Sequence, residues 1–340
     1  MSAAWRFGPA LFAPLALCLA CASSDGSGAP PDGAGAAGAA GTGGGEPWPP
    51  PPSAFLAPEQ YDCRASGPFE PPERPHPADC FADPGCSARL VAGHRMARPF
   101  APENSLSALR AAILLGVDIA ETDVRLTADG QVVLIHDGEV DRTLQGSGAV
   151  SDMTLAELRA LPMKTGGYDP AADFSCDRVP TLDELFALSR GRIVAELEIK
   201  DLPAGLAAAA YLREHDLYAH AYMLCSPDEC AAVRAAVPDV PIMPRAKQPD
   251  EVAALCEYDP PPVMVHIDPT EDFLAPQVLA TIHAAGAKAY GNAFTRADFE
   301  AITTGRIEAY PEMYEAGLDV VQTEYPHWAL LGLGRLAAPP

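Results

Sequence analysis

From about residue 88 onward, short apolar or β-branched runs recur at "RLVAGHR", "VDIAETDVRL", "QVVLIHD", "RIVAELEIK", "AHAYMLC", "VPIMPRA", "PVMVHID", "AKAYGNAF" and "LDVVQTEYP". Between most of them lie stretches of helical period, such as "NSLSALRAAILLG", "TLDELFALSR", "DEVAALCEY" and "PQVLATIHAAGA". Strand runs that alternate with helical runs predict a parallel sheet, and about eight such units fit a closed (β/α)8 TIM barrel of the α/β class. An open doubly wound sheet is the alternative. It wants a Gly-rich turn after the first strand, and "AGHRMARPFAPEN" has none.

Several of these strands carry charge. In the run from 119 to 126, period-2 alternation places Ile119, Glu121, Asp123 and Arg125 on one face and Ala120, Thr122, Val124 and Leu126 on the other. Two buried, unpaired carboxylates would cost several kcal/mol, so a solvated edge or a salt-bridged strand competes with a metal site or catalytic cleft. A second strand repeats the pattern with Glu196, Glu198 and Lys200, and His94 with Arg95 closes the first strand. Barrel sites lie at the C-terminal ends of the strands, where these residues fall. His266, Asp268 and Asn292 end later strands, as do Glu324 and Tyr325. Each is a candidate substrate contact, with core packing or capping as the alternative. Asp137 reads as a cap of the turn that follows. The stretch 138–180 breaks the rhythm and reads as an insertion, or lid, after the second strand region.

Composition and charge narrow the functional classes. The chain has 340 residues, 48% of them hydrophobic, enough for a large core in residues 89–337. Its formal net charge of −23 and lack of a Lys/Arg stripe argue against a nucleic-acid partner. An anionic substrate would need a local positive spot, which a cation on clustered carboxylates would supply. Residues 1–21 read as an export signal, too short and too interrupted by Pro14 for a membrane span. The "LAC" ending resembles a bacterial lipoprotein signal with Cys21 as the lipid-bearing residue, which makes a lipid anchor the expected membrane link; plain secretion is the alternative. Residues 22–60, rich in Gly, Ala and Pro, read as a tether, and residues 61–88 as a Cys/Pro-rich extension. Export permits disulfides, and an odd number of cysteines beyond the signal leaves at least one thiol unpaired.

Five separated blocks occur in the order of one known family: "AGHRMARPFAPENSLSALRAAILLGVDIAETDVRL", "GQVVLIHDGEVDRTLQGSGAV", "VPTLDELFAL", "VAELEIK" and "VVQTEYP". The chain resembles the glycerophosphodiester phosphodiesterases, barrel enzymes of the phosphatidylinositol-phospholipase-C-like type. The resemblance implies a divalent metal held by Glu121, Asp123 and Glu198, with His94 and His136 as the acid and base pair. It implies that Arg95 and Lys200 hold the phosphate, joined by Glu103 and Asn104 of "PENS", which orient the residues around the site. An all-oxygen ligand set suits Ca²⁺ or Mg²⁺. The implied reaction is hydrolysis of a glycerophosphodiester to glycerol 3-phosphate and an alcohol. Two positions depart from the family pattern, Met96 in place of a glycine and Glu324 in place of an aspartate. Met96 is expected to narrow the phosphate pocket or change the head group accepted. Two alternatives stay open: a phospholipase D-like enzyme of the spider-toxin type acting on lysophospholipid or sphingomyelin, and a tethered binding protein without turnover.

Overall fold

The structure, a computed structural model, describes residues 48–338 apart from position 84. Among the described residues nine strands form: β1 Leu90–Gly93, β2 Ile119–Leu126, β3 Val132–Leu134, β4 Val194–Ile199, β5 Ala221–Cys225, β6 Ile242–Pro244, β7 Met264–Ile267, β8 Lys288–Asn292 and β9 Val320–Thr323. Eight run in the order β6-β5-β4-β2-β1-β9-β8-β7 with parallel ladders. The joint between β6 and β7 is made by a parallel bridge of Arg245 with His266 and by the Val263 N–H on the Ile242 carbonyl at 3.0 Å. The ring is a (β/α)8 barrel, as the alternation predicts.

Every apolar run carries a strand, but "QVVLIHD" is not a stave of the ring. Its β3 pairs antiparallel with the end of β2, Val124 facing Leu134. The connection is a tight turn with Gly130 at φ 79°, far too short for the crossover that a parallel neighbour requires.

Alternation sorts each strand into two faces. Val91, Ala120, Ala195, Val265 and Val321 turn outward beneath the helices, while Ala92, Ile119, Val194, Met264 and Val320 fill the barrel interior. Each buried Val, Leu or Ile contributes about 1.5–3 kcal/mol. One step further along the inward rows of β2 and β4 stand Glu121 and Glu196 in register, then Asp123 and Glu198. The charged row is therefore the continuation of the lumen core toward the C-terminal mouth.

The helix Leu106–Leu115 shows how local signals set the outer layer. Ser105 Oγ accepts the Ala108 N–H at 3.0 Å at its start, and Gly116 at φ 78° ends it. At the opposite end of the barrel the short helix Pro77–Ala82 carries the disulfide Cys80–Cys86, and Lys288 Nζ donates to the Asp83 and Cys86 carbonyls. Arg74 and Arg335 both clamp the buried Asp118 beside it, at 2.5 and 2.6 Å.

The tether expected to reach residue 60 is packed from residue 48 on. Trp328 Nε1 donates to the Pro50 carbonyl at 2.8 Å, Leu56 is buried, and short 3-10 turns form at Pro52–Ala54 and Pro58–Gln60. Its prolines lower the entropy lost on ordering, and Phe55 and Leu56 supply apolar anchors, so this stretch gains more by packing than a Gly/Ala chain would. The expected signal, Cys21 and the rest of the tether lie outside the described residues.

Residues 138–180 build a small core of their own on β3, with Val140, Leu144, Leu158 and Val179 packed against Val133 and Ile135. The disulfide Cys63–Cys176 ties this segment to the extension. A third disulfide joins Cys225 to Cys230, and Cys256 is a free thiol. Among the described residues no helix is long and apolar enough to cross a membrane.

Candidate active site

At the mouth of the barrel Glu121, Asp123 and Glu198 each offer a carboxylate oxygen within 4.8 Å of the others. Glu121 Oε2 accepts the Arg95 N–H at 2.6 Å, while Oε1 is buried without a hydrogen-bond partner. Burial, followed by the nearby Asp123, Glu198 and Glu196 carboxylates, pushes the Glu121 carboxyl well above its ordinary range. Burial also works against ionisation of Asp123, but the charges of Lys200, His136 and Arg95 and the Asn104 hydrogen bond outweigh it and hold this carboxyl low. An orphaned buried oxygen amid crowded hard-oxygen donors fits a divalent cation.

Asn104, at φ 56°, donates from Nδ2 to Asp123 Oδ2 at 2.8 Å, and its Oδ1 accepts the Thr122 hydroxyl at 2.6 Å. Lys200 Nζ lies 3.1 Å from Asp123 and 3.0 Å from Glu198. Arg95, at φ 51°, is buried and donates to Glu103 at 2.8 Å. Positive φ at Arg95, Met96 and Asn104 costs each of these side-chain-bearing residues about 1–2 kcal/mol, strain of a kind that clusters at functional sites.

The turn after β1 explains part of that strain. Met96 donates its N–H to the Gly93 and Glu121 carbonyls, and its own carbonyl sits so close to Gly93 that a Cβ there would lie 1.9 Å away. This corner aims His94 and Arg95 over the site. The expectation that Met96 narrows the phosphate pocket is overturned: its side chain is fully buried in the outer core with Ala97 and Phe100.

Both histidines are anchored through Nδ1. His94 Nδ1 meets Glu324 Oε1 at 2.6 Å, its ring lies against Phe294, and Nε2 is 4.0 Å from Glu121 Oε2. His136 Nδ1 meets Asp137 Oδ1 at 2.6 Å, and Arg125 Nε holds the His136 carbonyl at 2.8 Å. The two are joined by a belt of ion pairs. Glu324 binds Arg98 at 3.0 Å, Arg98 approaches Glu103 at 3.7 Å, and Glu103 takes two donors from Arg142 at 2.8 and 2.7 Å. Arg142 Nε then reaches Asp137 at 2.6 Å and closes the belt. Glu103 thus sits among three guanidinium groups, which outweigh its burial and keep its carboxyl low.

The structure brings His94, His136, Glu121, Asp123, Glu198, Arg95, Lys200, Glu103 and Asn104 to one mouth. Asp137 is not merely a turn cap, since it holds His136 and Arg142. Arg98 and Arg142 escape sequence reading because no local spacing marks them. Of the later candidates, His266 is buried against Arg245, Asp268 is exposed, and Tyr325 stacks on Trp328.

Fold and site define a TIM barrel whose mouth carries an acidic cluster suited to a divalent cation, flanked by carboxylate-anchored histidines. The model of the glycerophosphoryl diester phosphodiesterase family matches residues 93–291, more than half of the chain, and the chain belongs to that family. A glycerophosphodiester phosphodiesterase of Caldanaerobacter subterraneus subsp. tengcongensis is 42% identical over 112 residues, 33% of this chain and 45% of that protein. The chain spans less than half the length of the curated relatives it matches. A crystal structure of a glycerophosphodiester phosphodiesterase from Agrobacterium tumefaciens matches with a TM-score of 0.59 at 25% identity, over 71% of this chain and 99% of that one. An Oleispira antarctica phosphodiesterase, solved with sn-glycerol-3-phosphate, shares the fold at 24% identity and a TM-score of 0.58, over 72% of this chain and 96% of its own.

Proposed function

We propose that the protein hydrolyses glycerophosphodiesters to glycerol 3-phosphate and an alcohol, using a divalent cation on Glu121, Asp123 and Glu198 and acid–base catalysis by His94 and His136. The observation that carries this reading is the convergence of two histidines, each with Nδ1 engaged by a carboxylate, on a cluster of carboxylates. The oxygen-only donor set suits Ca²⁺ or Mg²⁺. Such a cation would neutralise phosphate charge and relieve the repulsion among its ligands.

The protein's own groups supply the proton traffic. A histidine bonded to a carboxylate at Nδ1 presents Nε2 for exchange, and the carboxylate stabilises the imidazolium that forms. One histidine takes the proton of the attacking hydroxyl or water, and the other protonates the departing alcohol. Arg95 and Lys200 place positive charge beside the carboxylates, where a phosphodiester oxygen would be met. The family relationship supports the substrate class, as does the glycerol 3-phosphate held by the Oleispira protein. The three disulfides support an exported protein, in which Cys21 would carry the anchor.

Phosphorus NMR of glycerophosphocholine incubated with the protein and Ca²⁺ or Mg²⁺ tests the reading. The phosphodiester resonance should give way to that of glycerol 3-phosphate. Phosphocholine as product, or turnover confined to lysophospholipid or sphingomyelin, would overturn it.

A further inference from the structure

A cavity of about 170 Å³ opens beside Glu198 on the side of β5 and β6. Its polar lining is Glu198, Ser226, Glu229, Arg245 and Lys247. The carboxylates here already have partners. Glu198 pairs with Lys200 at 3.0 Å, and Glu229 caps its helix by accepting the Ser226 N–H and hydroxyl at 2.9 and 2.7 Å. The cations do not. Among the described residues neither Arg245 nor Lys247 makes an ion pair, in a chain of net charge −23 whose Arg95, Arg98, Arg142 and Lys200 are all paired at the same mouth.

Arg245 is nevertheless held in place. It follows β6, its N–H donates to the Cys225 carbonyl at 3.0 Å, and its Nε donates to His266 Nδ1 at 3.1 Å. Burial, then the guanidinium itself, keeps His266 well below its ordinary pKa, so the ring stays neutral and acts as the acceptor. Nε is thereby used, and the two terminal nitrogens are left to serve the cavity. A fixed guanidinium fork with free terminal donors is suited to a planar carboxylate.

We propose that this cavity is a head-group subsite that takes a carboxylate carried by the alcohol portion of the substrate, with Arg245 as its principal ligand and Lys247 as a supporting charge. The inference rests on the proposed phosphodiesterase activity and adds to it a preference for acidic over quaternary-ammonium head groups.

The test compares glycerophosphoserine with glycerophosphocholine for the full protein, Arg245→Gln and Arg245→Lys, with melting temperatures as a check on folding. The wild type should favour the serine diester. Arg245→Gln should lose about tenfold to a hundredfold in kcat/KM for it, through KM, while glycerophosphocholine turnover is unchanged and Arg245→Lys recovers part of the loss. Equal loss on both substrates would place Arg245 at the phosphate, and no loss would leave the cavity without a role; either overturns the proposal. Titration calorimetry with phosphoserine and phosphocholine, which have no diester to cleave, decides the point separately from turnover. Weaker phosphoserine binding in Arg245→Gln with phosphocholine unaffected supports the subsite even if neither diester is hydrolysed, in which case the activity alone fails. Equal affinities of the wild type and Arg245→Gln for phosphoserine overturn the subsite.

Discussion

His94 Nδ1 lies 2.6 Å from Glu324 Oε1, which pins the ring so that Nε2 faces Glu121 across 4.0 Å. In the proposed mechanism Glu324 positions His94, so its removal should act through that ring. Glu324→Gln is expected to lower kcat about tenfold to a hundredfold, to leave KM nearly unchanged, and to move one limb of the pH profile. A KM effect with an unmoved profile would show that Glu324 serves only the fold.

The same contact makes an acid-stability signature. Burial opposes the Glu324 charge, but His94, Arg98 and Arg95 outweigh it and bring its pKa down to about 2. A folded pKa below the unfolded one contributes stability above the unfolded value of about 4.3, and this is lost as pH falls toward about 2. Urea unfolding at pH 7 and pH 3 should show a pH-dependent loss smaller by about 1–2 kcal/mol in Glu324→Gln than in the wild type. An equal loss in both proteins would contradict the assignment.

Glu121 is costly to the metal-stripped protein, because burial and three neighbouring carboxylates oppose its charge. Glu121→Gln removes that repulsion and keeps an acceptor for the Arg95 N–H. The stripped variant should melt a few degrees higher than the stripped wild type and gain nothing from added Ca²⁺ or Mg²⁺, whereas the wild type gains. A lower melting temperature in the stripped variant would show that the charge is already compensated.

Met96 offers a separate test of the turn after β1. Met96→Gly relieves a φ of 75° but empties a fully buried core position. The cavity outweighs the relief, so denaturant unfolding should show a loss of about 1–3 kcal/mol while the ratio of turnover on different head groups stays the same. A changed ratio would return Met96 to the pocket.

The barrel was legible because apolar strand runs such as "VDIAETDVRL" and "RIVAELEIK" alternate with stretches of helical period such as "NSLSALRAAILLG". The direction of β3 was not, since antiparallel and parallel strands share the same period-2 alternation and only the tight turn at Gly130 decides between them. Glu121, Asp123 and Glu198 announced themselves as charge inside apolar strands. Arg98 and Arg142 carry no such signal, because their contacts with Glu324, Glu103 and Asp137 come from the fold bringing distant segments together. Met96 read as a pocket residue because a residue's position beside His94 says nothing about the hand of its backbone. Arg245 stayed hidden for a related reason: an unpaired cation is recognisable only when all its neighbours are known.

The most direct test of the account is one titration read in two ways. Chelator-stripped wild-type protein and Glu121→Gln, Asp123→Asn and Glu198→Gln variants would receive increasing Ca²⁺ or Mg²⁺ while melting temperature and glycerol 3-phosphate release from glycerophosphocholine are followed together. The account predicts that in the wild type both signals rise over the same range of metal concentration, and that both fail in the variants. Undiminished release by the stripped wild type, or a variant that hydrolyses the diester at the wild-type rate without binding metal, would contradict it.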